Sequence, residues 1–216
     1  MEKKKILLIG DSIRMGYDKY VKEALSSVAD VYYPDENCRF AEYTLRYAHE
    51  WKEKLGCPND LDVVHWNVGL WDVLELFGDE PLTTIDYYAY NVARIDKRLR
   101  MLFPNAKMIF ATSTPIIEAR YSDAFRRHNE NIEKYNAAAI EALRGTDTVI
   151  NDLYATMCRV DESYHSDATH FYTPAGTELI GGKVLAEITA LAGIAASDVN
   201  IENFTPEKYT KENIGG

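Results

Sequence analysis

Short, continuous apolar runs alternate along this chain with longer segments whose apolar residues recur at helical spacing. No other feature constrains the fold as much. Runs without a polar face must be covered on both sides, and strands separated by helices return in the same direction. Residues 5–9, 30–33, 61–67, 107–111 and 148–150 read as strands, and 17–28, 41–55, 84–103, 126–143 and 174–191 as helices. Gly56, Pro104 and Gly145 stand where three of those helices should stop. The expected architecture is an α/β fold, with a mainly parallel sheet of five strands between helical layers.

With 216 residues the chain is long enough for one domain with a sizeable core. The periodic part, 1–196, is expected to form that domain, and the polar, aperiodic 197–216 a tail. A formal net charge of −10 argues against nucleic acid or an anionic membrane surface as partner. Cys38, Cys57 and Cys158 are scattered without a C-x-x-C pair, which suggests neither a disulfide framework nor a zinc site. The basic start runs into apolar residues that stop at Gly10, too soon for the roughly 7–15 residue core of a secretion signal. No stretch approaches the ~18 apolar residues of a membrane span, so a cytoplasmic location is expected. The oligomeric state leaves no trace in the sequence.

In an open parallel sheet the ligand site lies beyond the carboxyl ends of the strands. Gly10-Asp11-Ser12 follows the first strand, Asn67 to Asp72 the third, and Thr112 to Pro115 the fourth, so all three should meet on one rim. A serine at a strand-to-helix turn suits a nucleophile, although Ser and Asp also serve there as ordinary helix caps. Near the other end, Asp167 precedes His170 by three positions in "YHSDATHFYTPAG". A carboxylate at that spacing can fold back onto Nδ1 of the imidazole and leave Nε2 to take a proton from a hydroxyl. Each motif alone is common by chance; together, on one rim, they point to a serine nucleophile, a base and a group that orients the base. A zinc reading of His165, Asp167 and His170 takes every ligand from one loop and finds no second cluster, so no metal and no cofactor is expected.

At these residues the chain resembles the SGNH hydrolases, also called GDSL-type esterases. The resemblance spans roughly residues 5–190 and rests on "GDSI" around Ser12, on Asp167 and His170 followed by "HFYTPAG", and on "TSTPI" and "NIEKYN" between them. It implies a flavodoxin-like three-layer α/β/α sandwich with an open site. It also implies metal-free ester hydrolysis through an acyl-enzyme, with Ser12 as nucleophile, His170 as base and Asp167 as its orienting partner.

Two blocks depart from the family pattern. Where the family supplies a glycine N–H to the oxyanion hole, this chain reads "DENCRFAEY", so the backbone of Cys38, Arg39 or Phe40 must donate instead. The third block, usually Gly-x-Asn-Asp, reads Gly69-Leu70-Trp71-Asp72. Asn67, four positions earlier, or the Trp71 indole is then the side-chain donor. The expected hole therefore comprises Ser12, Arg39 and Asn67. Asp11, Arg14, Trp66, Trp71 and Tyr172 are the expected substrate contacts. The reading is a serine esterase for short-acyl, chiefly acetyl, esters of small molecules, with acylated sugars among the candidates. Acyl transfer by the same residues, or a non-catalytic carbohydrate or acyl binder on the same fold, are its rivals.

Overall fold

A computed structural model describes residues 2–203. In chain order its elements are β1 (Lys4–Ile9), α1 (Ser12–Met15), α2 (Asp18–Leu25), β2 (Ala29–Tyr32), α3 (Ala41–Lys54), β3 (Val63–Trp66), β4 (Glu75–Leu76), α4 (Ile85–Leu102), β5 (Lys107–Ala111), β6 (Phe125–Arg126), α5 (Asn129–Ala142), β7 (Val149–Asn151), α6 (Leu153–Met157) and α7 (Pro174–Ala192). Five strands form one sheet in the order β2-β1-β3-β5-β7, and every pair is parallel. This is the flavodoxin-type order.

Ile6 to Ile9 of β1 and Val63 to Trp66 of β3 are buried throughout, so both faces of the sheet centre are covered. α2 packs on α7, and α7 reaches β3, β5 and β7; α3 packs on α4, and α4 on α5. Those two helical groups are the outer layers that the apolar runs demanded. Trp66 illustrates the packing: it lies edge-on to Phe110 with ring centroids 4.8 Å apart, an arrangement worth about 0.5–1.5 kcal/mol beyond simple burial. α3 ends just before Gly56, whose φ of +61° is the left-handed conformation expected past a helix terminus.

The differences from the sequence reading are local. α5 begins at Asn129 rather than 126, because Phe125–Arg126 pairs antiparallel with Glu75–Leu76 in a separate two-stranded ladder. The short helices α1 and α6 have too few turns to show a period. Of the expected tail, 197–203 dock on the domain: Ser197 N–H donates to Ala24 O (2.8 Å), and Val199 and Ile201 pack on the core. Residues 204–216 lie outside the described residues. No described helix is long and apolar enough to cross a membrane.

The sheet centre holds one titratable group, His65 of β3, fully buried. Its Nε2 lies 3.2 Å from Asn151 Nδ2 and its Nδ1 3.3 Å from the Tyr17 hydroxyl. Burial pushes its pKa down to about 3 from the usual 6.5. A histidine held neutral in this way contributes stability that is complete above the unfolded value and drains away as pH falls toward the folded one. The stability advantage of the wild type over His65→Gln should therefore shrink by about 2 kcal/mol as pH falls from 7 to 5. Urea unfolding at both pH values measures it; an advantage independent of pH would mean that His65 charges freely in the folded protein.

Candidate active site

β1 and β3 run in register, Ile9 beside Trp66, so the residues that follow them are neighbours. Asp11 ends the turn after β1 as the N-cap of α1, its Oδ1 accepting from Ile13 N–H at 2.9 Å. Asn67 Nδ2 donates to the same oxygen at 2.8 Å. Gly10 is what lets the two strand ends come so close: a Cβ there would sit 1.9 Å from Asn67 Oδ1. The turn presents Ser12 as the first residue of α1.

Arg14, expected at the substrate, is instead wholly buried. Its guanidinium donates to the Asp18 carboxylate and to the carbonyl of Glu36, tying α1 to α2 and to the loop before α3. That is a structural clamp, and it corrects the expectation. Asp11, Trp66 and Asn67 are corrected in the same way. All three are fully buried: Asp11 caps, Asn67 holds Asp11, and Trp66 packs in the core. Tyr172 supports Ser12, its hydroxyl donating to Ser12 O and its ring stacking on His170 at 4.7 Å.

At the other end of the site, His170 Nδ1 lies 2.8 Å from Asp167 Oδ2. Asp167 Oδ1 accepts from the N–H groups of Thr169 (2.7 Å) and His170 (2.8 Å). Burial pushes the Asp167 carboxyl up, but hydrogen bonding to the imidazole, its charge and the two N–H groups win and hold it at about 2. The loop is closed on itself, since Ser166 donates through both N–H (2.7 Å) and Oγ (3.1 Å) to His170 O. His165 packs against Phe171 with tilted rings, centroids 3.8 Å apart.

Ser12, Trp71, Asp167 and His170 line one cleft of about 380 Å³, together with Arg120, Tyr121 and Arg127. Ser12 and His170 thus face the same cleft.

The segment that replaces the family glycine has the backbone a glycine would adopt: Arg39 stands at φ +54°. Its N–H donates to Asn37 Oδ1 at 2.8 Å, and the Cys38 N–H to Gly10 O at 3.1 Å. Of the three candidate donors, the Phe40 N–H is the one without a protein acceptor among the described residues. The Arg39 guanidinium lies 4.6 Å over the Tyr43 ring. Asp72 anchors the third block. It is fully buried, and both its oxygens accept from Ala41 N–H (3.1 and 3.3 Å) at the start of α3. That places Trp71, its neighbour, at the cleft wall.

Sequence reasoning missed Arg127 and Tyr121. Arg127 Nε donates to Leu70 O and its Nη1 to the Tyr121 hydroxyl (3.3 Å), while that hydroxyl pairs with Thr169 Oγ1 at 2.5 Å. The chain couples the Trp71 loop to the His170 loop. No periodicity or motif marks either residue; only the β4–β6 ladder, which ends just before Arg127, turns the arginine inward.

No family model and no curated protein matches this sequence. Solved structures do match over nearly the whole chain. A lipase/acylhydrolase from Enterococcus faecalis superposes with a TM-score of 0.68 at 19% identity, over 95% of this chain and 100% of that one. A GDSL-like lipase from Bacteroides thetaiotaomicron gives 0.65 at 17%, over 87% and 88%. An acetyl xylan esterase gives 0.66 at 15%, over 85% and 99%. The chain has the SGNH hydrolase fold. Within that fold Ser12 follows the first strand, and the Asp167–His170 pair precedes the last helix.

Asp72 gives this SGNH fold a second pH signature. Burial raises its carboxyl to about 7, against the pull of Thr83 and of Ala41 N–H. A carboxyl raised on folding contributes stability that is complete below the unfolded value, near 3.8, and is lost as pH rises through the folded one. Relative to Asp72→Asn, the wild type should lose roughly 2 kcal/mol between pH 5 and 7, the opposite sign to His65. Denaturant unfolding of wild type and variant at the two pH values measures that loss.

Proposed function

We propose that this chain is a serine ester hydrolase of the SGNH type that cleaves short-acyl esters through Ser12, His170 and Asp167. The observation that carries the reading is the 2.8 Å pair of His170 Nδ1 and Asp167 in the cleft that Ser12 lines. Nδ1 bonded to a carboxylate held ionised fixes the tautomer in which Nε2 carries the basic lone pair. Ser12 Oγ attacks the ester carbonyl as its proton passes to Nε2, and the imidazolium so formed is stabilised by Asp167. The same proton then goes to the departing alkoxide, and water repeats the sequence on the acyl-serine. The oxyanion is held by the N–H groups of Ser12 and Phe40 and by the Trp71 indole N–H, which takes the place of the family's asparagine.

A fluorophosphonate should label Ser12, as mass spectrometry of the peptide will show. Ser12→Ala and His170→Ala should each abolish turnover of an activated acetyl ester, with the double variant hardly worse, because the triad acts as a unit. Full activity in Ser12→Ala would end the reading. An unlabelled Ser12 in a folded protein would favour the rival binding module, which the altered oxyanion blocks suggest.

Trp71→Phe keeps the ring and removes the donor. It should lower kcat by about 10²–10³ with little change in KM, the usual loss for one oxyanion-hole donor. Asn67→Ala should instead act through stability, since Asn67 faces Asp11 and not the cleft. Acetyl xylan esterase and a family 3 carbohydrate esterase from Clostridium thermocellum are among the proteins with this fold, which supports an acetylated sugar as the alcohol side. Comparing kcat/KM for acetyl, butyryl, octanoyl and palmitoyl esters of one phenol, then acetate release from acetylated sugars, tests both parts. Efficiency that rises beyond about eight carbons would overturn the short-acyl assignment, because each further buried CH₂ adds ~0.8 kcal/mol only where an apolar groove receives it.

A further inference from the structure

Although its charge helps to hold the buried Asp11 carboxyl toward the ionised form, Arg127 has no ion-pair partner among the described residues. Only 4% of it is exposed, and among the described residues no carboxylate lies within ion-pair distance of its guanidinium. Its Nε and Nη1 are used by Leu70 O and the Tyr121 hydroxyl, which fix the plane of the group without neutralising it. The rings of Tyr121 and Phe125 flank it at 5.9 and 5.1 Å. Nη2 has no protein acceptor among the described residues, and Arg127 belongs to the wall of the cleft that holds Ser12 and His170. Burying a guanidinium without a counter-ion is costly, and it persists where a ligand supplies the missing charge. Arg120 lines the same wall, with its guanidinium half exposed and held by Glu162 at 3.0 Å.

We infer that Arg127, aided by Arg120, is a specificity residue that recognises a carboxylate or phosphate carried on the alcohol part of the ester. A guanidinium with fixed orientation and free N–H groups suits the planar oxygens of either anion. Two guanidiniums thus line the cleft beside the single carboxylate of Asp167, in a chain whose formal charge is −10. This inference rests on the esterase reading for its chemistry. The recognition itself is independent of turnover.

The test compares para-acetoxybenzoate with its methyl ester, which share acyl group and leaving-group skeleton and differ in the anion. para-Acetoxyphenyl phosphate forms the second arm. Wild-type kcat/KM should favour an anionic ester by roughly tenfold or more at low salt, mostly through KM, and the arm with the larger ratio identifies the anion. The ratio should collapse toward one in Arg127→Gln, persist in part in Arg127→Lys, and fall less in the surface variant Arg120→Gln. The Gln variant's fold is checked by its thermal unfolding, and the Lys variant carries the test if Gln does not fold. A wild-type ratio at or below one in both arms, or a ratio that Arg127→Gln leaves unchanged, overturns the inference. Calorimetric binding of para-acetoxybenzoate and para-acetoxyphenyl phosphate to Ser12→Ala separates the two readings. Binding of either to Ser12→Ala that is lost on adding Arg127→Gln, beside a wild type that hydrolyses none of the esters, keeps the anion site and removes the esterase. Failure of both to bind Ser12→Ala, beside wild-type hydrolysis of the neutral ester, removes the anion site and keeps the esterase.

Discussion

The hydrogen bond from Asn67 to Asp11 joins the carboxyl ends of the two central strands, and the site is built outward from it. Both residues are fully buried, so the bond is made where water cannot compete and its loss would strand two polar groups. It exists because β1 and β3 are parallel and in register, and because Gly10 has no side chain to keep the strand ends apart. Asp11 then caps α1, α1 begins with Ser12, and Tyr172 secures the Ser12 carbonyl from the last loop. The position of Ser12 is thus a consequence of sheet pairing rather than of loop conformation.

The architecture was legible in the sequence because a parallel sheet covered on both faces writes each strand as an unbroken apolar run. Ser12, Asp167 and His170 were legible because a strand-to-helix turn and a D-x-x-H spacing carry local geometry of their own. What sequence position could not supply was side-chain direction. Trp66 and Asn67 do lie at the end of β3, as expected, yet both point into the protein. Arg14 sits on the first helix but turns back to Asp18. Arg127 was invisible for the opposite reason: a two-residue ladder has no period to detect, and that ladder is what aims it.

The substitutions in the two oxyanion blocks look severe as letters and are milder as structure. A left-handed residue other than glycine costs roughly 1–2 kcal/mol, and Arg39 adopts that conformation all the same. Asn37 Oδ1 bonds the Arg39 N–H and the guanidinium lies over Tyr43, interactions that offset the strain. The third block loses its asparagine but keeps Asp72, whose grip on the α3 N-terminus holds the loop where Trp71 must stand.

The interior also holds ionisable groups, and their signs are informative. His65 favours folding at higher pH and Asp72 at lower pH, because burial excludes the charged form of each. Between about pH 4 and 6.5 the two slopes oppose each other, so interior ionisation on their account leaves stability nearly level across that range. Arg127 has no such partner of opposite slope, since a guanidinium stays charged at any pH the fold survives. Two of its guanidinium nitrogens are taken by protein oxygens, and the group lines the cleft in which Ser12 stands. Its charge therefore persists at the wall of the cleft, where the proposed anion would meet it.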